Sequence, residues 1–333
     1  MKTAPVGLAG IGTYFPAAVQ SSAEIAEATG IPREIVEQKF GLRQKHIAAP
    51  DEHVSAMAAR AAEPLVRESG RRIGAVVYFG SAHKDYYLWS VAPKIQHLLG
   101  LGEAFTLELM DTSACGPLAL KVARDMLVAD PHLPGVLLVG ASRESSVIDY
   151  RNERSRFAFN FADGAAAALV GRGPEVHEIL ATAVVTDGSF SDDVLIPAGG
   201  SVHPPSAVTL ERGMHALDVV DPARMKARLD PIAVERFVEV TRTAVERSGS
   251  TLADVAYLAV LHTKRSLFEA LLRALGLEEH QSFYLRDFGH ISALDPFISL
   301  QQGERLGRLR RGDLAVALSA GTGYSWAATA IRW

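Results

Sequence analysis

Phe105–Leu127 reads FTLELMDTSACGPLALKVARDML: an apolar run, a turn of small residues, then apolar positions at helical spacing. A buried strand that feeds a helix through so tight a turn is a building unit of an open α/β sheet. The turn also carries Cys115, the only cysteine in 333 residues. A lone cysteine is by default a small buried hydrophobe. At the first turn of a helix another use opens, because unpaired N–H groups and the helix dipole stabilise an anion there and lower a thiol pKa. Gly116 leaves room beside the sulfur for a substrate, and Pro117 suits an early helical position that needs no N–H.

Around this unit, short runs rich in Val, Ile, Leu and Ala alternate with longer amphipathic segments, the pattern of a sheet buried by helices on both faces. Strands are expected over 6–11, 75–79, 105–110, 135–139, 165–170, 179–185, 256–261, 282–285, 313–318 and 326–331. Ser21, Ser22 and Glu24 read as a capping-box start, Pro32 as part of a first helical turn, and DPIAVERFVEVTRTAVER over 230–247 as an amphipathic helix. PGVLLVGASRES followed by FADGAAAALVGRG is echoed by GDLAVALSAGTG followed by YSWAATAIRW. The echo suggests two duplicated α/β halves, 1–172 with the cysteine and 173–333. PAGGSVHPPSAVTLERG, 197–213, reads as a long excursion covering a site.

Thirty-four basic and 38 acidic residues nearly cancel. No one-signed field is available to hold nucleic acid or a membrane surface. No apolar stretch approaches the roughly 20 residues that cross a bilayer, and no signal-peptide pattern opens the chain. A soluble cytoplasmic protein is the expectation. GLAGIG lacks the dinucleotide spacing, and GxxxxGK[ST], zinc-type Cys/His spacing and GxSxG do not occur. No metal is expected.

A nucleophilic thiol needs a base or a hydrogen-bond donor near it. His262 follows VAYLAVL and His290 follows SFYLRDFG, so both lie just past the carboxyl ends of expected strands, where open α/β sheets hold ligands. His53, His97, His132 and His280 sit in polar stretches and read as solvated. SAGTGYSW, 319–326, is a glycine-rich turn after an apolar strand. N–H groups of Gly321, Thr322 and Gly323, with that of Cys115, are candidates for an oxyanion hole.

DTSACGPLAL, FADGAAAALV, His262 after its strand, DFGHISALDP and SAGTGYSWAATAIRW occur together and in order. On that ordered set the chain resembles β-ketoacyl-acyl-carrier-protein synthase III and its relatives in the thiolase superfamily. The resemblance spans the chain from GIGTYFP through KFGLRQKHIA to the C-terminus. It implies a duplicated five-layer αβαβα thiolase fold, a homodimer, and an acyl-enzyme on Cys115 formed from acyl-CoA. It also implies acyl carrier protein as a partner, and thioesters as substrates with no bound cofactor. His262 matches the family's first catalytic histidine. His290 stands where the family usually has Asn, and the resulting Cys-His-His set resembles elongating condensing enzymes; Asp295 reads either as the group that orients it or as a local cap of the helix start. Ile35 replaces the family's adenine-stacking Trp, Lys39 its neighbouring Arg, and HTKR, 262–265, its HQAN. Lys39, Arg154, Arg156, Lys264 and Arg265 are candidates for the phosphates of CoA or the pantetheine arm. SAHKDYYLWS corresponds to the segment that closes the partner's acyl pocket, which makes Tyr86, Tyr87 and Trp89 candidates for setting chain length.

The leading expectation is decarboxylative Claisen condensation with a malonyl thioester, in a specialised pathway. Related enzymes instead pass the acyl group to an oxygen, nitrogen or aromatic carbon acceptor, and a non-catalytic partner subunit is a third reading. Retention of Cys115 and both histidines speaks against the last.

Overall fold

Nine of the ten expected strands form, each set by an apolar run and most extended beyond it by the ladder of backbone hydrogen bonds. The computed structural model describes residues 4–333. The strands are β1 (Val6–Tyr14), β2 (Ala75–Tyr78), β3 (Phe105–Glu108), β4 (Val136–Arg143), β5 (Asp163–Arg172), β6 (His177–Thr186), β7 (Val255–Val260), β8 (Leu314–Gly321) and β9 (Ser325–Arg332). They make one sheet in the order β7-β8-β9-β6-β1-β5-β4-β2-β3. The run over 282–285 is the exception and makes only a single bridge, Leu258 to Ser282. Ser282 Oγ donates to Leu258 O at 2.7 Å, so a side chain takes an acceptor that a further ladder bond would use.

The order repeats about the β1–β6 junction. On one side, β4 lies antiparallel to β5 and parallel to β2, and β2 is parallel to β3. On the other, β8 lies antiparallel to β9 and parallel to β7, and the Ser282 bridge is parallel again. Helices α1 (Val54–Glu68) and α2 (Val91–Leu98) cover one outer face; α4 (Ala233–Arg247) and α5 (Arg265–Leu275) cover the other. Between the two halves of the sheet lie α3 (Cys115–Ala129) and α6 (Asp295–Arg305), each touching strands of both. The layers therefore run αβαβα. Three hydrophobic clusters fill the spaces between them, the central one built around α3 and α6. Phe237, Val240, Ala244 and Val245 form the buried stripe of α4, as its periodicity predicts. Ser21 and Glu24 close a capping box, while Pro32 stands one place earlier than expected, as the cap residue of the helix Arg33–Gln38.

The two central helices begin alike. Thr112 takes a left-handed φ of 45°, a 3-10 turn spans Thr112–Ala114, and α3 starts at Cys115. Ser292 takes φ 53°, a 3-10 turn spans Ser292–Leu294, and α6 starts at Asp295. The duplication thus puts the cysteine and a carboxylate at equivalent places, with the two helix starts abutting. Gly116 is what permits the contact: a Cβ there would lie 2.3 Å from Ala293 O. The space beside Gly116 is filled by protein, which corrects the expectation that it is kept open for substrate.

Gly116→Ala is expected to lower stability by about 1–3 kcal/mol through forced separation of the helix starts. Gly102→Ala, with nothing within 4 Å of the added methyl, is the neutral control. Urea midpoints of the two variants check this.

Candidate active site

Three turns converge on the middle layer: the cysteine turn, the loop after β7 and the loop leading into α6. Cys115 is the first residue of α3 and is almost fully buried. Burial pushes its thiol up to about 12, which outweighs the favourable backbone contact with Asp111. The helix dipole therefore does not yield a resting thiolate, contrary to the sequence expectation, and the sulfur needs a base.

His290 is the candidate for that base. Its Nδ1 lies 2.6 Å from Asp295 Oδ2 and its Nε2 lies 2.9 Å from Ser113 Oγ, two residues before the nucleophile. Burial pulls the His290 pKa down, but the charge and hydrogen bond of Asp295 outweigh it, and the net shift is upward. The backbone that aims the ring is fixed too. His290 N–H donates to Asn160 O at 2.9 Å, and a Cβ on Gly289, which sits at φ 74°, would come within 2.7 Å of the same oxygen. Asp295 also accepts from the N–H of His262 at 2.8 Å and of Ile291 at 2.7 Å, so one carboxylate holds both imidazole-bearing loops.

His262 has the opposite character. Asn160 Nδ2 faces its Nδ1 at 2.8 Å, and its Nε2 donates to Gly41 O at 3.2 Å. Burial pulls its pKa down to about 4, so at neutral pH it is an uncharged ring with its N–H on Nε2. Tyr284 stacks on it at 5.3 Å, and Arg265 lies over Tyr284.

The β8–β9 hairpin is stitched to the cysteine turn by three side chains. Ser319 Oγ donates to Ser113 O at 2.5 Å, Ser325 Oγ to Asp111 Oδ1 at 3.0 Å, and Thr112 Oγ1 to Thr322 O at 3.2 Å. Gly321 lies so close that a Cβ would meet Thr112 Oγ1 at 2.0 Å. The hairpin of Gly321, Thr322 and Gly323 thus lies against the nucleophile turn. The Cys115 N–H, however, is spent on Thr112 O, against its expected part in an oxyanion hole.

The candidate phosphate contacts fare unevenly. Arg154 is engaged by Asp218 through two bonds, Arg156 by Glu153, and Arg265 by Glu269 and Glu279. Those carboxylates neutralise three of the five cations; Lys39 and Lys264 are exposed. A cavity of about 460 Å³ lies beside Arg154, lined also by Arg151, Arg212, Met214 and Asp218. Tyr86 and Tyr87 are largely exposed, while Trp89 packs against the outer core next to α2. Ser113 and Asn160 were not singled out from sequence. Ser113 reads there only as a small turn residue, and Asn160 precedes FADG in a stretch with no motif of its own.

A buried thiol at a helix start, an imidazole with a carboxylate behind it and a second neutral imidazole, in this layered fold, define a thiolase-fold acyltransferase. Residues 107–188 match the 3-oxoacyl-[acyl-carrier-protein] synthase III model and 245–333 the model of its C-terminal part. The chain belongs to the 3-oxoacyl-[acyl-carrier-protein] synthase III family. It is 27% identical to the β-ketoacyl-[acyl-carrier-protein] synthase III of Symbiobacterium thermophilum, over 100% of this chain and 99% of that protein. It is 30% identical to the 3-oxopimeloyl-[acyl-carrier-protein] synthase of Rhodothermus marinus, over 97% and 92%. The synthase III of Thermus thermophilus superposes with a TM-score of 0.84 at 25% identity, covering 98% and 99% of the two chains. The priming β-ketosynthase of the R1128 polyketide pathway does so at 0.85 and 25%, covering 99% and 96%. No helix among the described residues is long and apolar enough to cross a membrane.

The base form of His290 is the neutral ring, so the rate of Cys115 acylation should fall on the acid side with a midpoint above 6.5, the ordinary histidine value. Asp295→Asn should move that midpoint down and lower the plateau by roughly 10²- to 10⁴-fold. Single-turnover acylation followed across that range checks both.

Proposed function

We propose that the protein forms an acyl-enzyme on Cys115 and passes the acyl group to a hydroxyl or amino acceptor, with His290 and Asp295 as the general base. The observation that carries this reading is Asp295 Oδ2 at 2.6 Å from His290 Nδ1. A carboxylate there requires the proton on Nδ1, so the neutral ring turns a lone pair, not an N–H, toward Ser113 and the cysteine turn. Decarboxylative condensation takes no proton from its acceptor, since the broken C–CO₂ bond supplies the electrons; it asks for N–H donors aimed at the enolate oxygen. Transfer to oxygen or nitrogen asks for a base. The opposed shifts of the two histidines set them apart accordingly, His290 accepting protons and His262 staying an uncharged ring whose Nε2–H is held by Gly41 O.

The steps balance. His290 takes the Cys115 proton, and the thiolate attacks the acyl carbonyl of an acyl-CoA or acyl-carrier thioester. N–H donors of the 321–323 turn steady the oxyanion. The departing thiolate recovers the proton from His290. The acceptor O–H or N–H then loses its proton to His290, its heteroatom attacks the Cys115 thioester, and the proton returns to the cysteine sulfur. Lys39 and Lys264 serve the phosphates of the incoming thioester, and the division at 172/173 separates the nucleophile half from the histidine half. A homodimer, in which the exposed Tyr86–Tyr87 segment meets a second copy, belongs to the same reading. Condensation with a malonyl thioester is the second reading, favoured by the names of full-length relatives.

Incubation with an acyl-CoA panel should add one acyl mass to the protein, and Cys115→Ala should abolish it. Discharge should proceed with alcohol or amine acceptors and release no carbon dioxide; release that requires malonyl-CoA and Cys115 would establish the second reading. Separately, sedimentation should show twice the chain mass, and Tyr87→Glu should shift the protein toward monomer.

A further inference from the structure

Glu144 follows β4 and has no part in the steps above. Its Oε1 accepts from Ser81 Oγ at 2.6 Å, and Ser292 is close enough to favour the ionised form of the same carboxyl. Both serines are buried, whereas Glu144 keeps accessible surface. The charged groups that bear on it most are His290, which favours its ionised form, and Asp163, which opposes it. Burial dominates and holds its pKa above the usual carboxylate range.

The place of this carboxyl is informative. β2 and β4 are parallel neighbours, so Ser81 and Glu144 emerge from the same end of the sheet. Ser292 opens the turn into α6, two residues after His290. His83 and Ser146, 3.0 Å apart, tie the same two loops a second time. The cluster therefore stands between the catalytic base and the segment that carries Tyr86, Tyr87 and Trp89. The strand ends are also held together by backbone bonds in which it takes no part, Phe79 N–H to Val139 O and Ser81 N–H to Ala141 O, both 3.0 Å. Among the described residues no Lys or Arg forms an ion pair with this carboxyl, and a single hydrogen-bonded hydroxyl leaves much of its acceptor capacity unused.

We propose that Glu144, with Ser81 and Ser292, is the specificity site for the acyl group and selects donors whose acyl chain bears a hydroxyl or amino substituent. The inference rests on the acyl-enzyme reading above. A site built to receive a hydrogen bond rejects the analogue that lacks the donor, because its own polar groups are then left unpaired.

The test uses the full-length enzyme with butyryl-, 3-hydroxybutyryl- and 3-aminobutyryl-CoA, following kcat/KM for Cys115 acylation by intact mass. Wild type should favour a substituted donor over butyryl-CoA by roughly tenfold or more. Glu144→Leu should erase or invert that preference. Glu144→Gln, which keeps the size and an acceptor oxygen, should retain preference for the hydroxyl donor and lose it for the amino donor; it also serves if the leucine variant does not fold. A wild type that favours butyryl-CoA, or a preference unchanged in both variants, would overturn the proposal alone. So would selectivity that appears only when butyryl-enzyme is discharged to matched alcohols and amines, since the carboxyl would then read the acceptor. A folded enzyme that takes no adduct from any donor would overturn the acyl-enzyme reading, and this inference with it.

Discussion

Asp295 is fully buried and binds three donors: Nδ1 of His290 and the backbone N–H groups of His262 and Ile291. Through them it sets where both imidazoles stand and which nitrogen of His290 carries the proton. Buried acceptors and donors that satisfy each other rigidify a site, while loss of one member leaves the rest unpaired at the full cost of desolvation. A substitution here orphans two backbone N–H groups as well as the ring. The geometry of Ser113, His290 and Asp295 is thus a consequence of one carboxylate being held at the start of one helix.

That position is inherited from the duplication. Cys115 opens α3 and Asp295 opens α6, each after a left-handed residue and a 3-10 turn. The halves have diverged in what they place at the same point: a thiol in one, and in the other a carboxylate that binds an imidazole. Because the helix starts abut at Gly116 and Ala293, the two functions are brought together by packing and not by a flexible loop. The β8–β9 hairpin, stitched to the cysteine turn by Ser319, Ser325 and Thr112, adds a third support from the opposite side of the sheet.

Much of this is legible in the chain itself. The apolar runs mark nine strands because buried strands in a sheet covered on both faces have no polar side to blur the signal. The lone thiol at a strand–helix turn and His262 just after β7 mark the site for a similar reason, since ligands collect at strand ends, whereas His290 follows a run that makes only one bridge. The ionisation of the groups is not legible. The thiol is raised because burial outweighs its favourable backbone contact with Asp111, and burial depends on α6 packing against the turn. Arg154 looks free in sequence, yet its partner Asp218 lies 64 residues away, and Glu279 lies 14 residues from Arg265. Asn160 and Ser113 belong to the site only through long-range contacts to His262 and His290. No local pattern announces such partners.

Arg265 bridges Glu269 and Glu279 and lies over Tyr284, whose ring stacks on His262 and whose hydroxyl donates to Thr263 O. A residue that sequence assigns to a phosphate thus acts as a buttress, linking a surface ion network to the ring of His262. The orientation of that imidazole is settled when the polypeptide folds, so an arriving thioester need not spend its own contacts on ordering it.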